Sequence, residues 1–547
     1  MEQTQPVAPV VDQIAKPEKA KTKRKFKIKP IIFIAAAVAL IVGAIILVLC
    51  IINANKDKDK TVYDTDAFFI RETSSSTSLY ALFKDNGDKK TDFIFNSVSQ
   101  FVDNYALVRN KDNKYGIINN NGDVTVEFGQ YDDINTRGGL YEVTINDKKV
   151  LIKGNGDEVI SGYSDCIDSY NMPYVTVLVE ETQYKTFNAL GDEILSFEST
   201  DRPRFEGYDQ RLAGSMRYAG HTILLNNKTL KVEKDIESET PYTISSASKD
   251  LKTFVFSENG KYSDGKWATY HNGKVSEYGE KCKTVSLVDE SKNGYDRKYL
   301  TCRTNDGTFL IRNGEVSDID VSYGSSHHVA FDENHYAAFD SKEGKIKVYV
   351  DGNEKASIDG TYAPTISGNS YFVRDTKNKR IALYDLDGNQ VYELKDVTYG
   401  ELNGVDKNGN IIVNDPSQEN SNERYYLISK DGKELSKKYS SIARHGEYYS
   451  AYDYTGKTAD LLGKDGSVLV SGEYKSIDFY KDEKLIFGKK EDNKVDLLSA
   501  DGRKVTGSYE GRVSVSSSNY FMISNDDKNV YYTFSGDEIY QQSKQKN

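Results

Sequence analysis

Several residue types are scarce in this chain, and their scarcity excludes whole classes of protein. Among 547 residues there are one tryptophan, four cysteines, six histidines and nine prolines. Four cysteines are too few for a disulfide-rich scaffold. One tryptophan is few for a cleft that stacks sugar rings. The contents of 38% hydrophobic, 12% aromatic and 28% charged residues are ordinary for a folded protein and exclude wholesale disorder.

Catalytic motifs that can be recognised from sequence are also missing. The chain contains no Gly-x-Ser-x-Gly, no phosphate-binding glycine loop before Lys-Ser/Thr, no His-Glu-x-x-His and no dinucleotide fingerprint. We therefore expect no enzyme, no cofactor and no catalytic or metal-binding residue. A pair of carboxylates for glycoside hydrolysis stays open, because such pairs form through space and the chain holds 83 Asp and Glu.

The cysteines leave two alternatives open. Cys50 ends a long apolar run, which leaves the odd set Cys166, Cys282 and Cys302 with no CxxC spacing. Cys282 and Cys302 can form a disulfide if they lie on neighbouring strands. Otherwise these cysteines are small buried apolar side chains.

Charge is distributed unevenly along the chain. The net charge is −11, but residues 1–60 carry +6, so the remaining 487 residues carry −17. An acidic body argues against a surface for nucleic acid or anionic lipid. We expect no nucleic-acid partner.

One segment has the length and composition of a membrane anchor. The 22 residues from Ile31 to Ile52 contain no charge. As a helix they would span about 33 Å, enough for a hydrocarbon core of about 30 Å. The basic stretch 16–30 precedes this segment, which predicts a cytoplasmic, disordered tail over 1–30 and an extracytoplasmic body after a linker over 53–62. A lipoprotein anchored at Cys50 is the alternative, but Leu49 stands where a small residue is expected.

The rest of the chain is built from a repeat. The stretch KYGIINNNGDVTVEFGQYDDI, residues 114–134, combines alternating apolar residues, an Asn-Gly step and a Tyr three residues before an Ile. The turn glycine recurs about thirteen times at intervals of 34 to 46 residues, with Asn227 in one degenerate copy. The turn glycines are Gly87, Gly122, Gly156, Gly191, Gly273, Gly314, Gly352, Gly388, Gly432, Gly466, Gly502 and Gly536.

Each repeat is predicted to form four short strands. The apolar alternation has period two, and Asn-Gly or Asp-Gly suits a type I′ hairpin turn, in which both central residues have positive φ. One sheet of about 37 residues leaves its apolar face uncovered, so the sheets must pack on copies of themselves. We predict an all-β fold of about thirteen four-stranded repeats in two consecutive β-propellers, over residues 63–310 and 311–547.

These residues resemble a known family. Lys114-Tyr-Gly-Ile-Ile-Asn, then Asn-Gly-Asp, then Tyr131-Asp-Asp-Ile is similar to the bacterial WG (Trp-Gly) repeat. The resemblance covers residues 63 to 542, but Tyr115-Gly116 is the one clean aromatic-Gly step, and Trp267 is followed by Ala268. Tyrosine-containing extracellular propellers of the YWTD kind are a second relative. The resemblance implies binding or scaffolding and carries no catalytic residue across.

Three local patterns have alternative interpretations. Ser246-Ala-Ser-Lys249 matches a Ser-x-x-Lys nucleophile pair without its partner motifs. The histidines His327, His328 and His335 cluster in sequence, but two adjacent residues of a strand point to opposite faces. Two segments rich in oxygen ligands resemble part of a calcium loop but are better explained as turns; they contain Asp385, Asp387, Asn389, Asp406, Asn408 and Asn410.

These observations favour a membrane-anchored, extracytoplasmic repeat protein at the bacterial cell envelope. Its expected partners are the membrane, through one helix, and an unidentified envelope protein or glycan. The alternative function is an envelope glycan hydrolase or lyase on a propeller scaffold, which would need two or more carboxylates that converge at one mouth of the ring.

Overall fold

A computed structural model describes most of the chain after residue 60. It covers residues 61–547 except 74–77, 170–171, 210–211, 238–241, 259–265, 280, 291–296, 323–327, 398–399, 419, 482–483, 506–507, 517–519 and 545–547. In these residues no helix is long and apolar enough to cross a membrane. The predicted tail 1–30 and the membrane segment from Ile31 to Ile52 lie outside them.

The described part of the chain is all-β, as the repeat predicts. Its 49 strands form twelve antiparallel sheets, and the one other regular element there is the 3-10 helix Ser421–Glu423. Ten sheets have four strands, sheet 1 has six and sheet 9 has three. Within every sheet, strands that follow one another in sequence are hydrogen-bonded neighbours.

The strands of sheets 1 to 4 have the following bounds. Sheet 1 contains β1 (Ala67–Thr73), β2 (Ser78–Lys84), β3 (Phe95–Val98), β4 (Tyr105–Asn110), β5 (Tyr115–Asn119) and β6 (Val124–Val126). Sheet 2 contains β7 (Asn135–Arg137), β8 (Leu140–Ile145), β9 (Lys148–Ile152) and β10 (Glu158–Ser161). Sheet 3 contains β11 (Asp165–Asp168), β12 (Tyr174–Leu178), β13 (Gln183–Asn188) and β14 (Glu193–Glu198). Sheet 4 contains β15 (Arg204–Asp209), β16 (Ala213–Tyr218), β17 (His221–Asn226) and β18 (Lys231–Glu237).

Sheets 5 to 8 continue the same order. Sheet 5 contains β19 (Thr243–Ala247), β20 (Thr253–Ser257), β21 (Trp267–His271) and β22 (Lys274–Gly279). Sheet 6 contains β23 (Thr284–Asp289), β24 (Lys298–Arg303), β25 (Thr308–Arg312) and β26 (Glu315–Asp320). Sheet 7 contains β27 (His328–Ala330), β28 (His335–Asp340), β29 (Lys345–Val350) and β30 (Asn353–Asp359). Sheet 8 contains β31 (Thr365–Ser367), β32 (Ser370–Asp375), β33 (Arg380–Tyr384) and β34 (Gln390–Lys395).

Sheets 9 to 12 complete the chain. Sheet 9 contains β35 (Glu401–Leu402), β36 (Asn410–Asn414) and β37 (Tyr425–Ser429). Sheet 10 contains β38 (Ser441–His445), β39 (Tyr448–Asp453), β40 (Thr458–Leu462) and β41 (Val468–Tyr474). Sheet 11 contains β42 (Ser476–Tyr480), β43 (Leu485–Lys489), β44 (Lys494–Leu498) and β45 (Tyr509–Glu510). Sheet 12 contains β46 (Arg512–Val515), β47 (Tyr520–Ser524), β48 (Lys528–Thr533) and β49 (Glu538–Ser543).

Sheet 1 explains why thirteen repeats give twelve sheets. It contains two turn glycines, Gly87 and Gly122, and so holds two repeats. The two halves meet where β2 pairs with β3 through the single register pair Tyr80 and Phe95. The other ten turn glycines and Asn227 fall one to a sheet.

Most turns differ from the predicted type I′ geometry. All twelve turn glycines have φ between 77° and 90°. A type I′ turn also needs positive φ at the residue before the glycine. Only three of these preceding residues have it: Asn272, Asn313 and Asp351. At the other turns only the glycine takes the left-handed conformation. Gly122 is an example: its N–H donates to the Asn119 carbonyl, and a one-residue bulge follows between β5 and β6. This is the three-residue hairpin loop with a glycine bulge, which tolerates any residue before the glycine.

Neighbouring sheets pack through their second and third strands. In one interface Leu140 and Leu151 of sheet 2 contact Val175 and Val177 of sheet 3, and all four side chains are buried. Equivalent apolar clusters join each consecutive pair of sheets along the chain. First strands of adjacent sheets approach each other, as β11, β15, β19 and β23 do in succession. We infer that the first strands line the inside of the ring and the fourth strands its outside.

The first and last sheets also pack together, which closes a propeller-like ring. Phe68 of β1 stacks against Tyr520 of β47, with ring centroids 4.7 Å apart. The Tyr540 hydroxyl in β49 donates to Glu72 Oε1 at 2.6 Å. The predicted division into two propellers near residue 310 is not confirmed: that position lies inside β25, and Leu310 packs with Ala330 across the interface of sheets 6 and 7.

The tyrosine of the Tyr-x-x-aliphatic step supports the packing by hydrogen bonding a buried acid. The hydroxyls of Tyr439 and Tyr474 donate to Asp460 and Asp496 at 2.9 and 3.0 Å. Burial and the neighbouring carboxylate raise the pKa of both tyrosines. Tyr163 makes the same bond to Glu142. The repeat tyrosine is thus a scaffold residue in these copies.

A disulfide links Cys282 to Cys302, with Cα atoms 5.3 Å apart. The sequence left open a disulfide or separate buried cysteines, and the structure shows the disulfide. The pairing of β23 with β24 brings the two residues together. The only tryptophan belongs to the same buried cluster, and its indole Nε1 donates to the Lys283 carbonyl at 2.9 Å. Cys166 is a free, half-buried cysteine.

Removing this disulfide is expected to destabilise the interface of sheets 5 and 6. The bridge spans a sequence separation of 20 residues, so the Cys282→Ser/Cys302→Ser variant should lose about 3 kcal/mol of unfolding free energy. Denaturation followed by the emission of Trp267 measures this change, since no other tryptophan contributes. The matched control is Cys166→Ser, which breaks no bridge. Equal midpoints for the two variants would contradict the bridge.

Candidate functional site

Side chains of sheets 5, 6 and 7 converge on a cavity of about 230 Å³, which we call the three-sheet cavity. Its floor is apolar, formed by Leu287, Leu300 and Ile311. Its polar lining comes from strand ends and turns of all three sheets. The lining residues are Thr253, His271, Asn272, Lys298, Tyr299, Asp332, Glu333 and Asn334.

His271 lies within hydrogen-bonding distance of three other polar side chains of the three-sheet cavity. Its Nδ1 lies 2.8 Å from Thr253 Oγ1, and its Nε2 lies 3.3 Å from Glu333 Oε1. The Asn272 amide Nδ2 lies 2.9 Å from the same Nε2. The hydrogen bond from His271 lowers the pKa of Glu333, and the Asn313 backbone N–H adds to that shift. The turn of sheet 7 is therefore fastened to sheets 5 and 6.

The remaining charged groups at the cavity are paired. Lys298 Nζ lies 2.8 Å from Asp250 Oδ2. Burial acts to raise the pKa of Asp250, but hydrogen bonds from Lys298 and Ser248 hold it at about 2. Asp332 accepts from the backbone N–H of Asn334 and lies 2.9 Å from His335 Nδ1. The cavity thus presents fixed polar groups around an apolar floor, an arrangement suited to one polar group of a larger ligand.

The hydrogen bonds resemble those of a nucleophile, a base and an orienting acid, in the order Thr253, His271 and Glu333. The residue in the position of the nucleophile, however, is not exposed. The Thr253 side chain, at the start of β20, is only 1% exposed. A nucleophile must reach its substrate. The trio is better explained as a hydrogen-bonded support for the turn of sheet 7.

The sequence patterns singled out as candidate sites lie elsewhere or are engaged in turns. Ser246 lies in β19 and Lys249 in the turn after it, whereas Ser-x-x-Lys chemistry needs a helix start. His328 lies in β27 and His335 in β28; His327 is outside the described residues. These patterns give no site.

The two calcium-like segments are turns, as their spacing indicates. Asp385 Oδ1 accepts from the backbone N–H groups of Asp387 and Asn389 at 3.1 and 2.8 Å. Asp406 Oδ1 accepts from Asn408 and Asn410 at 2.8 and 3.0 Å. Both acids stand three residues before a glycine of positive φ. Among the residues the structure describes, no group of three His, Cys, Asp or Glu could hold a metal ion.

The residues of the three-sheet cavity carry no recognisable signal in the sequence. Thr253 and Asn334 are 81 positions apart and meet only because sheets 5 to 7 are neighbours. Asn272 directly precedes the turn glycine Gly273, and that position does not mark it as a site residue. The hairpin turns bring these side chains to one place.

Comparison with known proteins adds no family. No family model matches the chain, and no curated protein matches it. Among solved structures it is similar to one described as the crystal structure of the eukaryotic initiation factor, at 8% identity and a TM-score of 0.21, over 80% of this chain and 95% of that one. KlHsv2 with loop 6CD replaced by a Gly-Ser linker is similar at 10% identity and a TM-score of 0.21, over 56% of this chain and 99% of the other. Neither likeness carries a functional argument.

Proposed function

We propose that this chain is a membrane-anchored, extracytoplasmic binding or scaffolding module of a bacterial cell envelope. The observation that carries the proposal is the three-sheet cavity, where polar side chains of three neighbouring sheets surround an apolar floor. The ligand is an envelope protein or glycan, and the resemblance to WG repeats favours binding over catalysis.

Two observations support the location. The apolar segment from Ile31 to Ile52 follows the basic stretch 16–30, which favours an outward body. The Cys282–Cys302 bridge is typical of oxidising compartments outside the cytoplasm. Protease treatment of intact cells tests the location: the body should be degraded while a cytoplasmic marker survives. Survival of the body in intact cells would overturn it.

The binding function is tested with the full chain in a non-ionic detergent as bait for envelope extracts. We expect a defined protein or glycan to be retained and to be lost with Lys298→Ala/Glu333→Ala. The matched control is Glu354→Ala/Lys355→Ala, which removes the same charges from the exposed face of β30. Retention unaffected by the cavity variant, with folding checked by thermal unfolding, would exclude the cavity as the site.

A glycan hydrolase or lyase is the second candidate. Asp332 and Glu333 both line the three-sheet cavity, so it holds the two carboxyl groups that such an enzyme uses. Shortening of a retained glycan over time, abolished by Glu333→Gln, would favour the enzyme over the binding module.

A further inference from the structure

A second cavity, which we call the basic cleft, lies between sheets 11 and 12. Its volume is about 410 Å³. Four of its nine lining residues are cationic and none is acidic, in a chain with 83 Asp and Glu against 72 Lys and Arg. The lining residues are Lys475, Ser476, Lys489, Lys490, Asn493, Val495, Gly511, Arg512 and Val513.

Two of the four cations are neutralised inside the protein and two are not. Lys489 Nζ lies 2.5 Å from Asp478, and Lys490 Nζ lies 2.9 Å from the buried Asp496. Lys475 and Arg512 are exposed, and neither has an ion-pair partner in the part of the chain that the structure describes. Within the described residues, two of the four cations of the cleft are therefore not neutralised by an ion pair.

Lys489 and Lys490 form ion pairs within sheet 11, but the neighbouring repeat does without lysines at their positions. Lys489 and Lys490 stand 13 and 12 residues before the turn glycine Gly502. At the same distances before Gly466, the neighbouring repeat has Asp453 and Tyr454. The ion pairs of Lys489 and Lys490 serve the scaffold, so the charges that call for another explanation are those of Lys475 and Arg512.

We propose that the basic cleft binds a phosphate group of a linear envelope polymer. Ammonium and guanidinium groups form strong charge-assisted hydrogen bonds to phosphate, and Ser476 and Asn493 add neutral donors. The cleft is larger than one phosphate requires, and Val495 and Val513 offer apolar wall to an adjoining carbon skeleton. Because the body as a whole is acidic, a broad anionic partner is repelled, whereas a thin chain reaches the cleft alone.

The envelope location of the polymer rests on the function proposed above, whereas the phosphate chemistry rests on the residues of the cleft. The phosphate proposal and the proposed function can therefore be overturned independently of each other. Phosphate binding is measured on purified protein and is independent of cellular location. The protease and pull-down experiments test the location and the three-sheet cavity.

The test is titration of the full chain, in non-ionic detergent, with medium-chain polyphosphate, and competition by inorganic phosphate. We expect saturable binding that weakens as salt rises. Lys475→Ala/Arg512→Ala should weaken it at least about tenfold, because two charge-assisted contacts are lost. Both side chains are exposed, so the variant should fold.

The matched control is Lys234→Ala/Lys355→Ala, which removes two exposed lysines of β18 and β30, in sheets that do not adjoin sheets 11 and 12. This control should change the affinity by less than about twofold, since distant surface charges are screened. Equal weakening in both variants would overturn the cleft as the site. Equally tight binding of a uronate polymer would overturn the assignment to phosphate, and no binding of polyphosphate would overturn the proposal as a whole.

Discussion

Replacing Asp496 by asparagine is expected to lower the free energy of unfolding by about 3 kcal/mol. The Asp496 side chain is fully buried in β44. Its oxygens lie 2.9 and 3.1 Å from the ammonium groups of Lys490 and Lys504, and the Tyr474 hydroxyl donates to it at 3.0 Å. The large cost arises because the neutral side chain leaves two lysines without their shared partner.

The same acid gives the stability a defined pH dependence. Burial acts to raise the pKa of Asp496, but hydrogen bonds from Ser508, Lys490, Lys504 and Tyr474 hold it at about 2. An unfolded aspartate has a pKa of about 3.9. The contribution of the ionised Asp496 to the free energy of unfolding is therefore fully present above about pH 4 and is lost as the pH falls toward about 2. The Asp496→Asn variant should lose less stability than the wild type over that interval.

Urea denaturation at pH 7 and at pH 3 measures both effects. The matched control is Asp492→Asn, four residues away, where the acid is half exposed and pairs with Lys494. That substitution should leave the unfolding free energy almost unchanged, because exposed ion pairs contribute little. Similar losses in the two variants would show that burial of Asp496 is not the cause.

This acid also illustrates what could be predicted from the sequence. Asp496 and Asp460 each stand six residues before a turn glycine, inside an apolar run. An acid at an apolar position in two neighbouring repeats indicates that the acid is buried and has a hydrogen-bonding partner. That partner is the tyrosine of the Tyr-x-x-aliphatic step. The alignment of the repeats held this information, but only the pairing of strands shows that the hydroxyl reaches the carboxylate.

The strands were predictable because they depend on local chemistry. Period-two alternation and a glycine at regular intervals determine short antiparallel strands, and both features lie within one repeat. The turn type was not predictable from Asn-Gly alone, because the glycine-bulge loop accepts the same residues as type I′. The three-sheet cavity and the basic cleft were not predictable either, since each joins side chains of different sheets.

Ring closure is the property with the largest expected consequence for the whole molecule. Phe68 is 3% exposed and packs on Tyr520 across the junction of sheets 1 and 12. Phe68→Ala should cost about 3–5 kcal/mol, as buried phenylalanines generally do. Because the junction joins the two ends of the array, the loss should appear as local opening of both terminal sheets. Hydrogen exchange resolved by peptide measures this opening.

The matched control is Phe256→Ala, a fully buried phenylalanine in the cluster between sheets 4 and 5. Its loss of protection should centre on those sheets and leave β1 and β46–β49 unchanged. Two consecutive propellers would require sheet 1 to pack against sheet 6, near residue 310. In that case Phe68→Ala would increase hydrogen exchange in sheet 6 and leave sheet 12 protected. Opening of sheets 1 and 12 together would establish a single ring, since only in that arrangement do the ends of the chain protect each other.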